Sequence, residues 1–447
     1  MKRWKIVYGI LFFAVCLVPS VGLLFGGSGE SAENRDLADL PQLVTEDGWN
    51  QAFLTQAGEY FQEHFAFRNE LVTANALLMG KGFGVSAASG VIEGTDGWLY
   101  YKDSLEDFQR TNPMSERSLF NVAHSLALMQ DYAEKRGCSF VFTVAPNKNT
   151  LYGKNMPYYY QVTTDNQKNL EGLQKYLTEE QVNYVDLWQA FSEQEEVLYH
   201  KRDSHWNNKG ASLAADQILD ALSKLHISYT NGDYEVRTDF IGDLDEMLYP
   251  KAPTPEEEIY YAKPFSYSYV EEVESNFEPR ISTVNAVASG SLVMYRDSFG
   301  NALLPFLAEA FGNAYFSRGV PYQMTDLDTC LADTVIVERA ERFLPEMAEN
   351  PPVMPGPLVI VPGEAAKLDA DGLTEVEVVN QGLYTKISGT LNLAELDTRA
   401  RIAVQVDGGM AYEAFPVTWE SGEEGFVLYL ESGKFSGAAN QIEVFVM

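Results

Sequence analysis

Two short stretches hold the residues with chemistry in them. The first, Arg202-Asp203-Ser204-His205-Trp206-Asn207-Asn208, sets a carboxylate two positions before an imidazole, just ahead of a helical pattern. In an extended segment side chains alternate, so Asp203 and His205 share a side. There a carboxylate fixes the imidazole tautomer and stabilises the imidazolium once it takes a proton. The second stretch, Leu292-Val293-Met294-Tyr295-Arg296-Asp297-Ser298-Phe299-Gly300, is an apolar strand running into a turn and then a helix. Ser298 stands where a nucleophile elbow holds its serine, and N–H groups opening the helix suit a developing oxyanion. Together the stretches predict a catalytic triad of Ser298, His205 and Asp203. Each alone also has a plainer reading, since Asp-Ser pairs before helices are commonly caps and a His beside a Trp is commonly packed.

Zinc is the competing chemistry, because Asp203 and His205 are both possible ligands. The other histidines, His64, His124, His200 and His226, lack ligand-like spacing, so no metal and no cofactor is expected, and His64, His124 and His226 are read as packed or surface residues.

The elements around the two stretches alternate. Ser115 to Arg136 predicts a helix with Ser115 as N-cap and Gly137 just past its end. It leads into a buried strand over Ser139 to Val144, with Pro146-Asn147-Lys148 at the carboxyl end, where open α/β sheets place functional loops. Helices over Gln167–Gln181 and Ala211–Leu225, strands at Asn183–Leu187, Ser291–Tyr295 and Val335–Glu338, and a helix after Ser298 continue the pattern. The fold class is therefore α/β with a mainly parallel sheet. Upstream, apolar spacing between Asp47 and Gly80 predicts one or two amphipathic helices, and Asp96-Gly97 marks a hairpin turn. Prolines 351, 352, 355, 357 and 362 mark a stiff boundary. Beyond it, from 358 to 447, short β-rich runs between Gly-containing turns predict a small C-terminal β-sandwich.

The chain has 447 residues and a formal net charge of -32, which excludes nucleic acid as a partner because phosphate is repelled. Of the three cysteines, Cys16 lies in the N-terminal apolar run, and no Cys138–Cys330 bridge is expected because both sit in apolar stretches. Lys2, Arg3 and Lys5 precede an apolar segment from Ile6 to about Phe25, long enough to cross a bilayer as a helix. With the positive charges inside, the remainder is exported, giving a single-pass anchor over 1–27 and a linker over Gly26–Glu33. A cleaved signal peptide, releasing a secreted protein, is the alternative.

Taken together, these pieces resemble the DHHW and alginate O-acetyltransferase (AlgJ/AlgX-like) families, relatives of the SGNH hydrolases. The resemblance runs through Glu33-Asn34-Arg35 with Leu40-Pro41, Tyr60-Phe61 through His64-Phe65-Ala66-Phe67-Arg68, Gly94-Thr95-Asp96-Gly97-Trp98-Leu99-Tyr100, and Ala145-Pro146-Asn147-Lys148, in order from about 33 to 340. It implies an SGNH hydrolase-like domain over 34–350 with a permuted sheet, acting as a serine O-acetyltransferase on an exported polysaccharide. The acyl donor would be supplied by a membrane-bound O-acyltransferase. The family's usual Asp-His-His-Trp or Asp-Thr-His-Trp is Asp-Ser-His-Trp here, and the Gly often preceding Asp-Ser is Arg296, which either alters the oxyanion pocket or puts a cation beside the substrate. The Ser298 N–H is the first oxyanion donor expected, with Asn147 or Asn301 as side-chain partner and Lys148 beside them. The alternatives are a glycan O-acetylesterase and a non-catalytic glycan-binding protein using Tyr412, Trp419 and Tyr429 of the C-terminal domain as stacking surfaces.

Overall fold

Residues 2–23, 37–45, 48–83, 86–369, 371–393, 396–434 and 441–447 are described by the computed structural model. The linker expected over Gly26–Glu33, and the Glu33-Asn34-Arg35 motif, lie outside them. The first helix, α1, runs Lys2–Gly22, with Ile6, Leu11, Phe13 and Leu17 exposed. Among the described residues, no helix is long and apolar enough to cross a membrane. The stretch before Gly80 forms two helices, α2 (Phe53–His64) and α3 (Arg68–Phe83). The hairpin Val91–Glu93/Leu99–Tyr101 follows, with Asp96 and Gly97 both at positive φ, as a tight two-residue turn requires.

Seven strands build the central sheet: β1 (Ser139–Ala145), β2 (Tyr184–Val185), β3 (Ser268–Tyr269), β4 (Arg280–Val284), β5 (Ser291–Tyr295), β6 (Asn313–Ser317) and β7 (Thr334–Ala340). Their order is β2-β1-β7-β5-β6-β4-β3. The five strands from β2 to β6 run parallel, and β4 and β3 close the far edge antiparallel. Parallel strands covered on both faces need near-continuous apolar runs, and all seven residues of β7 are buried.

Side-chain alternation divides the core between two faces. Phe140, Phe142, Val293, Tyr295, Val335 and Val337 meet helices α4 (Glu116–Glu134) and α5 (Asn169–Glu179). Val141, Leu292, Met294 and Ile336 meet α6 (Asn208–Ala221) and α7 (Gly300–Ala310) on the other face. The Ser115 hydroxyl accepts the Ser118 N–H at 2.9 Å and starts α4 as the sequence predicts.

The C-terminal part is a curled antiparallel sheet of eight strands: β8 (Leu358–Val359), β9 (Ala366–Lys367), β10 (Leu373–Asn380), β11 (Tyr384–Leu391), β12 (Ile402–Val406), β13 (Ala411–Thr418), β14 (Glu424–Glu431) and β15 (Ile442–Val446). Its two halves join in β13, which pairs with β12 up to Ala414 and with β14 from Phe415 onward. Ile387, Ile402, Val404 and Leu428 pack between the halves. The proline-rich boundary is packed rather than exposed. Val353 donates its N–H to the Tyr322 carbonyl at 2.8 Å, and Phe415, Val417, Val427 and Tyr429 share one core with α4 and the central sheet.

A polar seam crosses the same interface. The two ring nitrogens of buried His124 lie 2.7 Å from Glu180 and 3.0 Å from Glu413, and Arg401 also pairs with Glu413. An imidazole between two carboxylates donates to both only when doubly protonated. Burial lowers the His124 pKa, but its hydrogen bonds to Glu180 and Glu413 outweigh that and raise it.

Candidate active site

Asp203 and His205 lie in a bent loop closed by a bridge between Tyr199 and Trp206, not in an extended strand. Asp203 Oδ1 accepts the main-chain N–H of His205 at 2.8 Å and also lies 2.8 Å from its Nδ1. A turn thus brings the pair together, where sequence alternation predicted an extended segment. Trp206 is buried and stands edge-on to Phe299 at 4.9 Å, and Phe299 in turn meets the His205 ring at 4.8 Å. Asn207 caps α6 by accepting the Gly210 N–H at 2.9 Å.

Ser298 follows β5 by three residues. The turn is clamped to the end of β7: Asp297 Oδ2 accepts the Ala340 N–H at 2.6 Å, its Oδ1 accepts that of Phe299 at 2.9 Å, and its own N–H donates to Glu338 at 3.1 Å. Gly300 permits the sharp turn into α7, because a Cβ there would sit 2.6 Å from Arg296 Cβ. Ser298 Oγ then stands 2.8 Å from His205 Nε2. With Nδ1–H directed at Asp203, Nε2 is left to accept a hydrogen bond from the Ser298 hydroxyl. Among the described residues, the Ser298 N–H has no hydrogen-bond partner.

Sequence reasoning missed Asp243, which completes the charge distribution. Its N–H donates to Asp203 Oδ2 at 2.9 Å, and its carboxylate receives the Ser204 N–H at 2.7 Å and the Ser204 hydroxyl at 2.5 Å. Gly242 allows the approach, since a Cβ there would lie 2.8 Å from the Asp203 nitrogen. Burial alone would raise the Asp203 pKa, yet the facing imidazole and the Asp243 N–H hold it well below the usual carboxylate range. Burial opposes protonation of His205, and the Asp203 and Asp243 carboxylates reverse the balance, so its pKa is raised. Asp243 is raised by burial first and by Asp203 second. Ligand atoms of Asp203, His205 and Asp243 fall within 4.8 Å of one another, which is compact enough for a metal ion. The hydrogen bonds among them account for that arrangement.

The other candidates divide. Lys148 is buried and donates to the carbonyls of His200, Lys201 and Asp203 at 3.2, 3.0 and 2.5 Å, so it holds the triad loop instead of facing substrate. Burial is the main reason its pKa falls to about 8. Asn147 is also buried, bonded through its N–H to Glu341 and through its amide to Asp107. Arg296, read from sequence as a cation beside the substrate, is buried too. Its guanidinium donates to the Asn276 and Glu278 carbonyls at 3.0 and 3.1 Å and to the Asn301 side-chain oxygen. Asn301 is therefore oriented with its amide nitrogen unengaged among the described residues. A half-buried cation near His205 is Arg342, another residue missed in the sequence, whose guanidinium lies 5.4 Å from the rings of Phe299 and Tyr101. Tyr412 and Tyr429 are buried and Trp419 packs against the core, so none presents a stacking face.

The mainly parallel sheet, the strand-turn-helix around Ser298 and the Asp203–His205–Ser298 row are the arrangement expected of an SGNH hydrolase-like domain. Residues 91–261 match the family model described as the SGNH hydrolase-like domain of acetyltransferase AlgX, a segment that holds Asp203 and His205 and stops short of Ser298. Comparison with curated proteins gives no match. Among solved structures, Bacillus cereus PatB1 is similar at 18% identity over 57% of this chain and 96% of that one, with a TM-score of 0.45. The O-acetyltransferase domain of Pseudomonas putida AlgJ is similar at 18% identity over 57% and 92%, TM-score 0.39. A DHHW family protein from Eubacterium siraeum is similar at 17% over 50% and 85%, TM-score 0.40.

Proposed function

We propose that this protein is an extracytoplasmic serine O-acetyltransferase that acetylates hydroxyls of a cell-surface or exported polysaccharide, held at the membrane by its N-terminal segment. The observation that carries the reading is the continuous relay from Asp203 through His205 to Ser298, with 2.8 Å at each step. His205 Nε2 takes the Ser298 proton as Oγ attacks the acetyl carbonyl, and the Ser298 N–H is the nearest candidate to receive the oxyanion. Collapse of the adduct breaks the donor's ester bond. His205 passes its proton to the leaving oxygen, and acetyl-Ser298 remains. A sugar hydroxyl then loses its proton to His205, attacks the acetyl-enzyme and leaves as the acetylated sugar, returning the proton to Ser298.

Support for transfer comes from the acetyltransferase description of the matching family, and support for export from the basic residues ahead of an apolar run at the amino terminus. The donor would reach this side of the membrane through a membrane-bound O-acyltransferase. The test is turnover of p-nitrophenyl acetate with and without an oligosaccharide acceptor. Ser298→Ala is expected to abolish it, and unchanged turnover would overturn the triad.

A further inference from the structure

Along the same carboxyl edge of the sheet lies a cavity of about 150 Å³ lined by Trp188, Lys168, Glu171, Gln174, Asp186 and Glu341 among others. That volume is about what a single six-membered ring occupies. Trp188 is 38% exposed, and its indole nitrogen has no partner among the described residues. Glu341 is 1% exposed. Its Oε2 accepts from the Asn147 N–H at 2.8 Å and the Thr150 hydroxyl at 2.7 Å, while Oε1 has no partner among the described residues. A carboxyl oxygen without a protein partner, in the wall of a cavity that also offers an aromatic face, is the combination that recognises a polar ring.

Strand register fixes where this cavity stands relative to the nucleophile. Tyr295 of β5 pairs with Val337 of β7, and Ala340 of β7 pairs with Ala145 of β1. Ser298 and Glu341 therefore leave adjacent strands at nearly the same level, and Asn147 and Asp186 continue the row past β1 and β2. Neighbouring strands are about 4.8 Å apart, so the cavity is displaced from Ser298 by roughly two strand spacings along the edge. Arg342 stands between them, over Phe299 on one side and 3.5 Å from the Asn147 side-chain oxygen on the other.

We infer that this cavity is an acceptor subsite that holds one uncharged or amino-bearing pyranose ring of the glycan whose neighbouring residue is acylated at Ser298. The inference rests on the proposed reading of Ser298 and names its substrate class. Trp188 supplies the stacking face. Glu341 and the Gln174–Asp186 pair, joined at 2.9 Å, face the ring hydroxyls. Charge sets the preference: Glu171, Asp186 and Glu341 stand against the single ammonium of Lys168. Burial raises the Glu341 pKa and so favours its proton-bearing form as a donor, and even then two carboxylates outnumber one cation. A uronate ring would add a further negative charge to that wall.

Binding can be read without turnover. Cellobiose, the glucosamine disaccharide and a digalacturonate are titrated into the full chain, following the indole N–H resonances by NMR, with Trp188→Phe identifying the relevant signal. The Trp188 resonance is expected to shift with the first two sugars. Trp188→Ala should weaken both by at least about tenfold, and the digalacturonate should bind about tenfold more weakly than either. No shift of Trp188, equal affinity in Trp188→Ala, or digalacturonate binding as tightly would each overturn the subsite. Failure of Ser298→Ala to alter ester turnover would instead overturn the acyl-transfer reading and leave the binding result standing.

Discussion

Asp203 engages His205 twice through one oxygen, taking the imidazole Nδ1–H and the main-chain N–H of the same residue at 2.8 Å each. The ring's tautomer and its backbone are thereby fixed by one carboxylate. Asp203→Asn presents an amide that can donate as well as accept, so the wrong tautomer becomes accessible. We expect ester turnover to fall by about 10³- to 10⁴-fold with little loss of fold, measured as kcat on p-nitrophenyl acetate beside a circular dichroism spectrum.

The pH profile reports the same pair. His205 must be unprotonated to accept the Ser298 proton, and the carboxylates beside it raise its pKa above the ordinary 6.5. Activity is therefore expected to rise with pH through a midpoint above 6.5. Asp243→Asn removes one of the carboxylates 3.6 Å or less from the ring and should move that midpoint down. A midpoint that stays in place in kcat/KM would remove Asp243 from this role.

Lys148 has a structural test. Lys148→Met keeps the length of the stem and leaves the carbonyls of His200, Lys201 and Asp203 without their shared donor. A loss of about 3 kcal/mol in urea unfolding is expected, with poorer activity because the triad loop is no longer held.

The His124 seam predicts a second pH dependence, in stability. A pKa raised on folding contributes stability that is complete below the unfolded value of 6.5 and is lost as pH rises through the folded value. Glu413 behaves in the opposite sense. Held down to about 2, chiefly by His124 and Arg401 against the effect of burial, it contributes stability above 4.5 that is lost as pH falls toward 2. His124→Ala should cost roughly 3 kcal/mol near pH 6 and less at pH 9, read from denaturant midpoints at the two values.

Much of this site is legible locally. Ser298 lies in the turn between an apolar strand and a helix, and the Asp203–His205 spacing survives as a contact although its geometry is a turn. What escaped the sequence is what depends on distant backbone. Asp243 comes from a segment ahead of the hairpin strand Glu256–Tyr261, and nothing in its own neighbourhood marks it; only the close approach allowed by Gly242 does. Arg342 and Glu338 flank the end of a strand whose apolar pattern dominates the reading. Asn147, Lys148 and Arg296 look like substrate contacts because they are polar residues at strand ends. In the fold each is buried and held by backbone or side-chain partners, although Arg296 Nε has no partner among the described residues. The antiparallel edge of the sheet, β4 and β3, was likewise missed, because short strands of mixed polarity carry no clear period.

The core shared by α4, the central sheet and strands β13 and β14 also decides how this chain can vary. Phe415, Val417, Val427 and Tyr429 stand on one side of the proline-rich boundary and Met129, Val293 and Met354 on the other or within it, all in one packed cluster. A cut near Pro357 would open a large apolar face on the helix that leads into β1, the strand before Asn147 and Lys148. The C-terminal sheet therefore behaves as a wall of the same core, and removing it would require α4 to be redesigned at the same time.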